Sequence, residues 1–151
     1  MKKKEVEVFI DKVMESEKCN EFYIVCTYCK NDDMENKQAY VRILKPTNEN
    51  EISDGALLYL NRKTFIKNTK FDLRFQTAIL LHELGHVFTV YSLKGNKEYN
   101  AQMWAYNKAI EFEMIEISKL IQDIFLDWKN FDKRSKYYEA WKIANTNGVL
   151  K

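Results

Sequence analysis

Hydrophobic residues recur along the first third of the chain with two different periods. An apolar stripe at positions i, i+3, i+4, i+7 and i+8 predicts a first helix over residues 3–17, and its members are Val6, Phe9, Ile10, Val13 and Met14. Segments rich in aromatic and β-branched residues then predict three strands, over residues 21–28, 38–45 and 56–62. Because only a short polar turn region separates the first two strands, we expect them to pair as an antiparallel hairpin.

The central segment is apolar on all sides over residues 75–90, which predicts a buried helix. Asp72 is a good N-cap for this helix, and we expect the helix to extend to about Leu93. Gly95 should lie at its end or just beyond it. Another helix should begin near Asn96.

Two further helices are predicted near the C-terminus. One follows Ser118 and carries an apolar stripe that includes Ile121 and Phe125, and the last is capped by Asp132 and continues through Asn145. Such stripes are typical of a packed core, and their aromatic density leaves a docking surface for a partner protein as the alternative. The predicted fold class is therefore α+β, with an N-terminal helix, a small three-stranded sheet, a central helix and C-terminal helices.

Composition narrows the class of protein. The chain has 151 residues, of which 46% are hydrophobic, so we expect one globular domain over residues 1–151. A net charge of +2 is too small to indicate direct nucleic-acid binding or attraction to a membrane surface. No segment approaches the roughly 18 uncharged apolar residues of a membrane span, and the N-terminus lacks the apolar run of a signal peptide. We therefore expect a cytoplasmic protein.

Three cysteines are present, and in the cytoplasm we expect them to be reduced thiols. Cys26 and Cys29 form a Cys-x-x-Cys pair, which is one half of some zinc sites and also a redox motif. No second pair exists, and in a strand these two positions point to opposite faces. We therefore interpret both as small buried hydrophobic residues.

The central helix contains the sequence His82-Glu83-Leu84-Gly85-His86. Residues four apart lie one turn above each other on a helix, so His82 and His86 can both direct a nitrogen at one zinc ion. Zinc lowers the pKa of a bound water towards about 7, and Glu83 can take its proton and deliver it to a leaving amine. The alternative is two histidines that are simply packed or solvated. It is weakened because both histidines of the chain fall in the motif.

The third protein ligand cannot be a histidine, so a carboxylate is expected, with a cysteine or tyrosine less suited. Glu98 is the first candidate because it shares a helix stripe with small residues, which would allow the helix to approach Gly85 closely. Gln102 lies one turn further along that stripe and could support a ligand. The competing carboxylates are Glu111, Glu113 and Glu116, for which a solvated face or ion pairing is the alternative interpretation.

These residues carry a resemblance to a known family. The His-Glu-Leu-Gly-His helix, followed by Glu98-x-x-Ala101-x-x-Trp104-Ala105, resembles the ImmA/IrrE metallopeptidases over about residues 72–112. The resemblance implies a zincin-like fold, with His82, His86 and Glu98 as zinc ligands and Glu83 as the base. Family members that act as proteases cleave transcriptional repressors and so relieve repression of phage, mobile-element or stress-response genes.

Two positions depart from the family pattern. Gln102 stands where an aspartate or asparagine is usual, and the proline that often follows near residues 110–111 is absent. Neither departure removes a proposed ligand, but both weaken the inference to a particular substrate.

The function predicted from the sequence is that of a zinc-dependent endopeptidase acting on a cytosolic protein, such as a phage or mobile-element repressor. One alternative is a zinc-containing regulatory protein that docks without proteolysis, and another is a zincin of a different family acting on small peptides. An extended substrate needs a strand edge, for which the third predicted strand, with residues 58–61, is the candidate; simple sheet core is the alternative. Candidates for stabilising the oxyanion are Tyr91, Tyr99 and Tyr106.

Overall fold

The computed structural model describes residues 1–19, 22–44, 55–66, 72–91 and 94–150. Its helices and strands confirm an α+β protein. The helices are α1 (Lys3–Ser16), α2 (Arg62–Phe65), α3 (Leu73–Phe88), α4 (Lys97–Glu111), α5 (Ile115–Asp127) and α6 (Lys136–Thr146), and the strands are β1 (Tyr23–Cys29), β2 (Ala39–Ile43) and β3 (Gly55–Asn61). Short 3₁₀ turns cover Asp32–Met34 and Trp128–Asn130. The chain divides into two compact units, Met1–Gln76 and Thr77–Lys151.

The first unit contains α1 and the sheet. Val6, Ile10 and Val13 of α1 are buried, so the predicted apolar stripe is confirmed. Burial of such aliphatic side chains contributes roughly 1.5–3 kcal/mol each, which outweighs any weakness in the local helix propensity of so short a segment.

The strand order β1-β3-β2 contradicts the predicted hairpin. β1 pairs with β3 in parallel, and β2 pairs with β3 in antiparallel orientation. The physical reason lies in the apolar pattern: Ala56, Leu58 and Leu60 of β3 are fully buried, whereas β1 alternates between exposed and half-buried positions. The most apolar strand therefore takes the centre, and the connection over residues 30–38 passes across it.

The position of β3 also corrects the prediction that residues 58–61 offer a free edge to a substrate. The main chain of β3 is paired on both sides, and Leu58, Leu60 and Asn61 are buried. Asn61 has a structural role, since its amide donates to the Asn31 side chain at 2.7 Å and to the Lys37 carbonyl at 2.9 Å. The simple-core interpretation of β3 is the one that the structure supports.

The end of β3 shows a second difference. The strand was expected to reach Arg62, but the side-chain oxygen of Asn61 accepts a hydrogen bond from the Lys63 amide at 2.9 Å and starts α2 there. The predicted start of the first strand at Glu21, the end of the second at Lys45, and most of the loop after Pro46 lie outside the described residues.

Both cysteines of the Cys-x-x-Cys pair lie in β1 as free thiols. Burial raises the pKa of Cys26 to about 11, with a smaller contribution from the charge of Glu7. A thiol with so high a pKa is a poor nucleophile and a poor metal ligand at neutral pH. Both cysteines are half-buried rather than fully buried as predicted, because β1 lies at the edge of the sheet.

The predicted N-cap of the central helix is confirmed, because the Asp72 carboxylate accepts a hydrogen bond from the Phe75 amide at 3.0 Å. The helix, α3, ends at Phe88 rather than near Leu93, which is outside the described residues. Its buried apolar side chains within the second unit are Ala78, Leu80, Leu81, Leu84 and Val87. Gly95 then adopts a φ of 89°, a left-handed conformation that suits glycine just before α4.

The two C-terminal helices begin at residues other than those predicted. α5 starts at Ile115, earlier than Ser118, and α6 is capped by Ser135, whose hydroxyl accepts from the Tyr137 amide at 3.1 Å. Asp132 does not cap α6; its carboxylate accepts from the Arg134 amide at 2.8 Å instead. The apolar stripes form a packed cluster, as the core interpretation predicted: Phe125, Trp128, Ala140 and Ala144, with Tyr99, Met103, Tyr137 and Trp141 against them. No described helix is long and apolar enough to cross a membrane.

Candidate metal centre

Three side chains from two helices meet in the second unit. His82 and His86 lie one turn apart on α3, and Glu98 lies in the first turn of α4. The Nε2 atoms of His82 and His86 lie 2.9 Å and 3.1 Å from the same oxygen, Oε2 of Glu98. The three candidate ligand atoms all fall within 4.8 Å of one another, and no other group of this kind occurs among the described residues.

Gly85 allows α3 and α4 to approach closely at this point. A Cβ atom at Gly85 would lie 2.9 Å from the Cα and the carbonyl carbon of Ala101. Real Cβ atoms essentially never come so close to another heavy atom that is not bonded to them. The facing stripe of α4 is buried, as the spacing predicted: Glu98, Ala101, Gln102, Ala105 and Ala109. Small residues on both helices therefore place Glu98 beside the imidazoles.

Asn96 fixes the start of α4 and with it the position of Glu98. Its side-chain oxygen accepts a hydrogen bond from the Tyr99 amide at 2.9 Å, which is an N-cap. Glu98 then falls in the first turn, where the helix dipole favours a carboxylate. The side chain is only 6% exposed, so it depends on protein partners for hydrogen bonds.

Gln102 supports His82 from the side opposite the cluster. The amide nitrogen of Gln102 donates to the Ile121 carbonyl at 3.0 Å, which turns its oxygen towards Nδ1 of His82 at 2.7 Å. Since an amide oxygen only accepts, Nδ1 carries a proton, and Nε2 offers a lone pair to an ion once the proton that it donates to Glu98 is lost. The glutamine thus performs the support that its place in the stripe predicted.

The charges of the cluster stabilise one another. Burial by itself would raise the pKa of Glu98, but hydrogen bonds with His82 and His86 hold it well below its usual range. Burial would lower the pKa of His82, yet the hydrogen bond to Glu98 and the charges of Glu83 and Glu98 raise it overall. Glu98 is therefore ionised at neutral pH, which is the form that binds a cation.

Glu83 is half-buried next to His82 on α3. Burial raises the pKa of Glu83, and the charges of His82 and His86 partly offset this effect. The predicted base therefore lies within electrostatic reach of all three candidate ligands. A carboxylate with a raised pKa is better matched to proton transfer near neutral pH than an exposed one.

Two contacts of the cluster were not predicted. The ammonium group of Lys136 lies 2.9 Å from Oε1 of Glu98, and the Trp128 ring lies edge-on to His82 with centroids 5.9 Å apart. Lys136 ends the basic run Lys133-Arg134-Ser135-Lys136, and such runs more often form a solvated face. It is also far from Glu98 in sequence. The one local signal was Ser135, whose capping role sets where α6 begins.

The competing residues lie elsewhere. Glu111 pairs with Lys108 at 2.5 Å, and Glu113 and Glu116 are exposed. Among the proposed oxyanion stabilisers, the hydroxyl of Tyr99 accepts a hydrogen bond from Asn147 at 3.4 Å, and its ring packs on the aromatic core. The proposed roles of Tyr91 and Tyr106 stay predictions.

The donor set fits a metal ion of the zinc type. Zinc–ligand distances of about 2.0–2.2 Å place the ligand atoms of a tetrahedral site roughly 3.3–3.5 Å apart, and the separations here span that value. Two imidazoles with one carboxylate, His82, His86 and Glu98, are a ligand set of catalytic zinc sites. No protein-family model, curated protein or solved structure matches the chain. The fold and the site therefore define an α+β protein with a His-His-Glu cluster that can hold a metal ion.

Proposed function

We propose that this protein is a zinc-dependent endopeptidase with a zincin-like fold. The observation that carries the proposal is the convergence of two imidazole nitrogens on one oxygen of Glu98, at 2.9 Å and 3.1 Å, with Glu83 beside them. Three protein ligands leave a coordination position free, which is typical of catalytic zinc sites, whereas structural sites are closed by four. This count favours catalysis over a purely structural ion.

His82, His86 and Glu98 would hold the ion. A bound zinc ion supplies Lewis-acid polarisation of a peptide carbonyl and hydroxide at neutral pH. Gln102 keeps a proton of His82 on Nδ1, so that Nε2 is the nitrogen that would bind the ion. Because Nε2 of each histidine faces Oε2 of the ionised Glu98 in the metal-free protein, loading has to displace the protons that these nitrogens donate to the carboxylate.

Glu83 moves the proton. Its carboxylate accepts a proton from the attacking water and later gives that proton to the nitrogen of the cleaved peptide bond, so that one water is consumed for each bond. The raised pKa of Glu83 supports both halves of this transfer, because the group must hold the proton briefly and then release it. Its half-buried position limits exchange with bulk water.

The substrate that we propose is a cytosolic protein, with a phage or mobile-element transcriptional repressor as the first candidate. This step rests on the resemblance to ImmA/IrrE metallopeptidases. The class of substrate is open to direct test, because repressors of mobile elements are small soluble proteins that can be purified and incubated with the enzyme.

The test is a Glu83→Gln variant of the whole chain, compared with wild type for zinc content and for cleavage of a purified candidate repressor. We expect one zinc per chain in both proteins and a loss of cleavage of about a hundredfold or more in the variant. Mass spectrometry of the products gives the cleaved bond. If the variant relieves repression as well as wild type does, the protein acts by docking and the peptidase proposal is wrong.

A further inference from the structure

We propose that Lys136 is a positioning residue that restricts Glu98 to one metal-binding oxygen, an inference that rests on the proposed zinc site. The two oxygens of Glu98 have different partners. Oε2 faces the two imidazoles, while Oε1 lies 2.9 Å from the ammonium group of Lys136. An oxygen held by an ammonium group is directed away from the ion that the other oxygen would bind.

The main chain of Lys136 is fixed to the same turn that presents Glu98. The side-chain nitrogen of Asn96 donates to the backbone carbonyl of Lys136 at 2.9 Å, while the side-chain oxygen of Asn96 caps α4. Ser135 caps α6 immediately before Lys136. The lysine is therefore tied to the start of α4 through its backbone as well as through its side chain.

Aromatic contacts connect Lys136 back to the imidazole side of the cluster. Its ammonium group lies 5.2 Å from the centroid of the Tyr137 ring, and that ring lies 5.0 Å from Trp128. Trp128 in turn contacts His82. The segment of residues 128–137 thus contacts two of the three candidate ligands, and it completes the metal centre from the C-terminal side.

The role of Lys136 is geometric more than electrostatic. Its side chain is 64% exposed, so solvent screens its attraction to Glu98 and an ordinary surface pair of this kind contributes little to stability. A carboxylate that is free to turn can present both oxygens to an ion and occupy the position that water and substrate need. Holding Oε1 prevents that arrangement.

The experiment compares zinc and cobalt binding by wild type, Lys136→Met and Lys136→Arg, with Lys142→Met as the matched control on the exposed face of α6. We expect Lys136→Met to raise the zinc dissociation constant about tenfold, because outer partners of metal ligands have effects of this size. Lys136→Arg, which keeps the charged donor, should restore most of the affinity, and Lys142→Met should match wild type. The visible spectrum of bound cobalt should weaken in Lys136→Met as the coordination number rises.

The outcomes are distinct. Unchanged or tighter zinc binding by Lys136→Met, with an unchanged cobalt spectrum, overturns the role of Lys136 and leaves the zinc site intact. A wild-type protein that binds neither metal overturns the zinc site and this inference together, whereas one that binds zinc but cleaves nothing overturns only the peptidase. Thermal unfolding of the metal-free variants shows whether each variant is folded. If Lys136→Met is not folded, Lys136→Gln takes its place in the comparison.

Discussion

Gln102 decides which nitrogen of His82 faces the cluster. A Gln102→Met variant removes the acceptor for the Nδ1–H group of His82 and the side-chain bond to the Ile121 carbonyl. We expect the zinc dissociation constant to rise about tenfold. We also expect a loss of roughly 1–3 kcal/mol in the free energy of unfolding, because the Nδ1–H group of His82 loses its acceptor. Chelator competition and chemical denaturation measure the two effects.

Gln122→Met on α5 is a control, since it makes the same change of side chain away from the cluster. It should leave zinc affinity unchanged. If Gln102→Met binds zinc as tightly as wild type, the orientation of His82 does not depend on this amide.

The residues of the cluster differ in how far the sequence could predict their placement. His82 and His86 follow from helix spacing, and Glu98 and Gln102 follow from a stripe of small residues on the next helix. Lys136 could not be predicted in the same way, because its contact depends on how α6 returns to the start of α4. Spacing within a helix is a local property, whereas that return is a tertiary one.

At the scale of elements, the close approach of α3 and α4 depends on Gly85. A Gly85→Ala variant would place a methyl group against the carbonyl oxygen of Ala101 and 2.9 Å from its Cα, so the helices would have to separate. Overpacking costs about 1–3 kcal/mol. The gain of about 1 kcal/mol in helix propensity from glycine to alanine offsets part of that cost. We expect lower stability and weaker zinc binding together.

The control for this prediction is Asn107→Ala, an exposed position of α4. It raises helix propensity without entering the contact, so its stability should equal or slightly exceed that of wild type. A Gly85→Ala protein that is more stable than wild type, with unchanged zinc affinity, would show that the two helices do not need to be so close.

Elements formed by local signals were predicted best, and the pairing of strands least. The apolar stripe of α1 and the Asp72 cap of α3 each depend on residues that are close together in the sequence. Strand order is not, because a short link favours a hairpin only when no third strand competes for the centre. β3 competes successfully since it can bury apolar side chains along most of its length.

At the scale of the whole molecule, metal loading and pH should be coupled through the cluster. The raised pKa of His82 stabilises the metal-free fold below about pH 6.5, its ordinary value, and this stabilisation is lost as the pH rises through the folded-state pKa. The pKa of Glu83 is also raised, so its contribution to the stability likewise falls as the pH rises, beginning near pH 4.5, its ordinary value. The pKa of Glu98 is lowered in the folded state, so the ionised carboxylate stabilises the fold above about pH 4.5, its ordinary value. This stabilisation is lost as the pH falls towards the folded-state pKa. The metal-free protein should therefore be most stable between these limits.

Bound zinc offsets the loss of stability at higher pH. It binds imidazoles that carry no proton on Nε2, so it competes better with protons as the pH rises. We expect the increase in melting temperature on adding zinc to be larger at pH 7.5 than at pH 5.5. At a hundredfold excess over the dissociation constant, zinc stabilises the fold by about 2.7 kcal/mol. A His86→Ala variant should lose most of this increase at both pH values. An equal increase at both pH values in wild type would contradict binding through the histidines, since zinc would then displace no imidazole proton over this range.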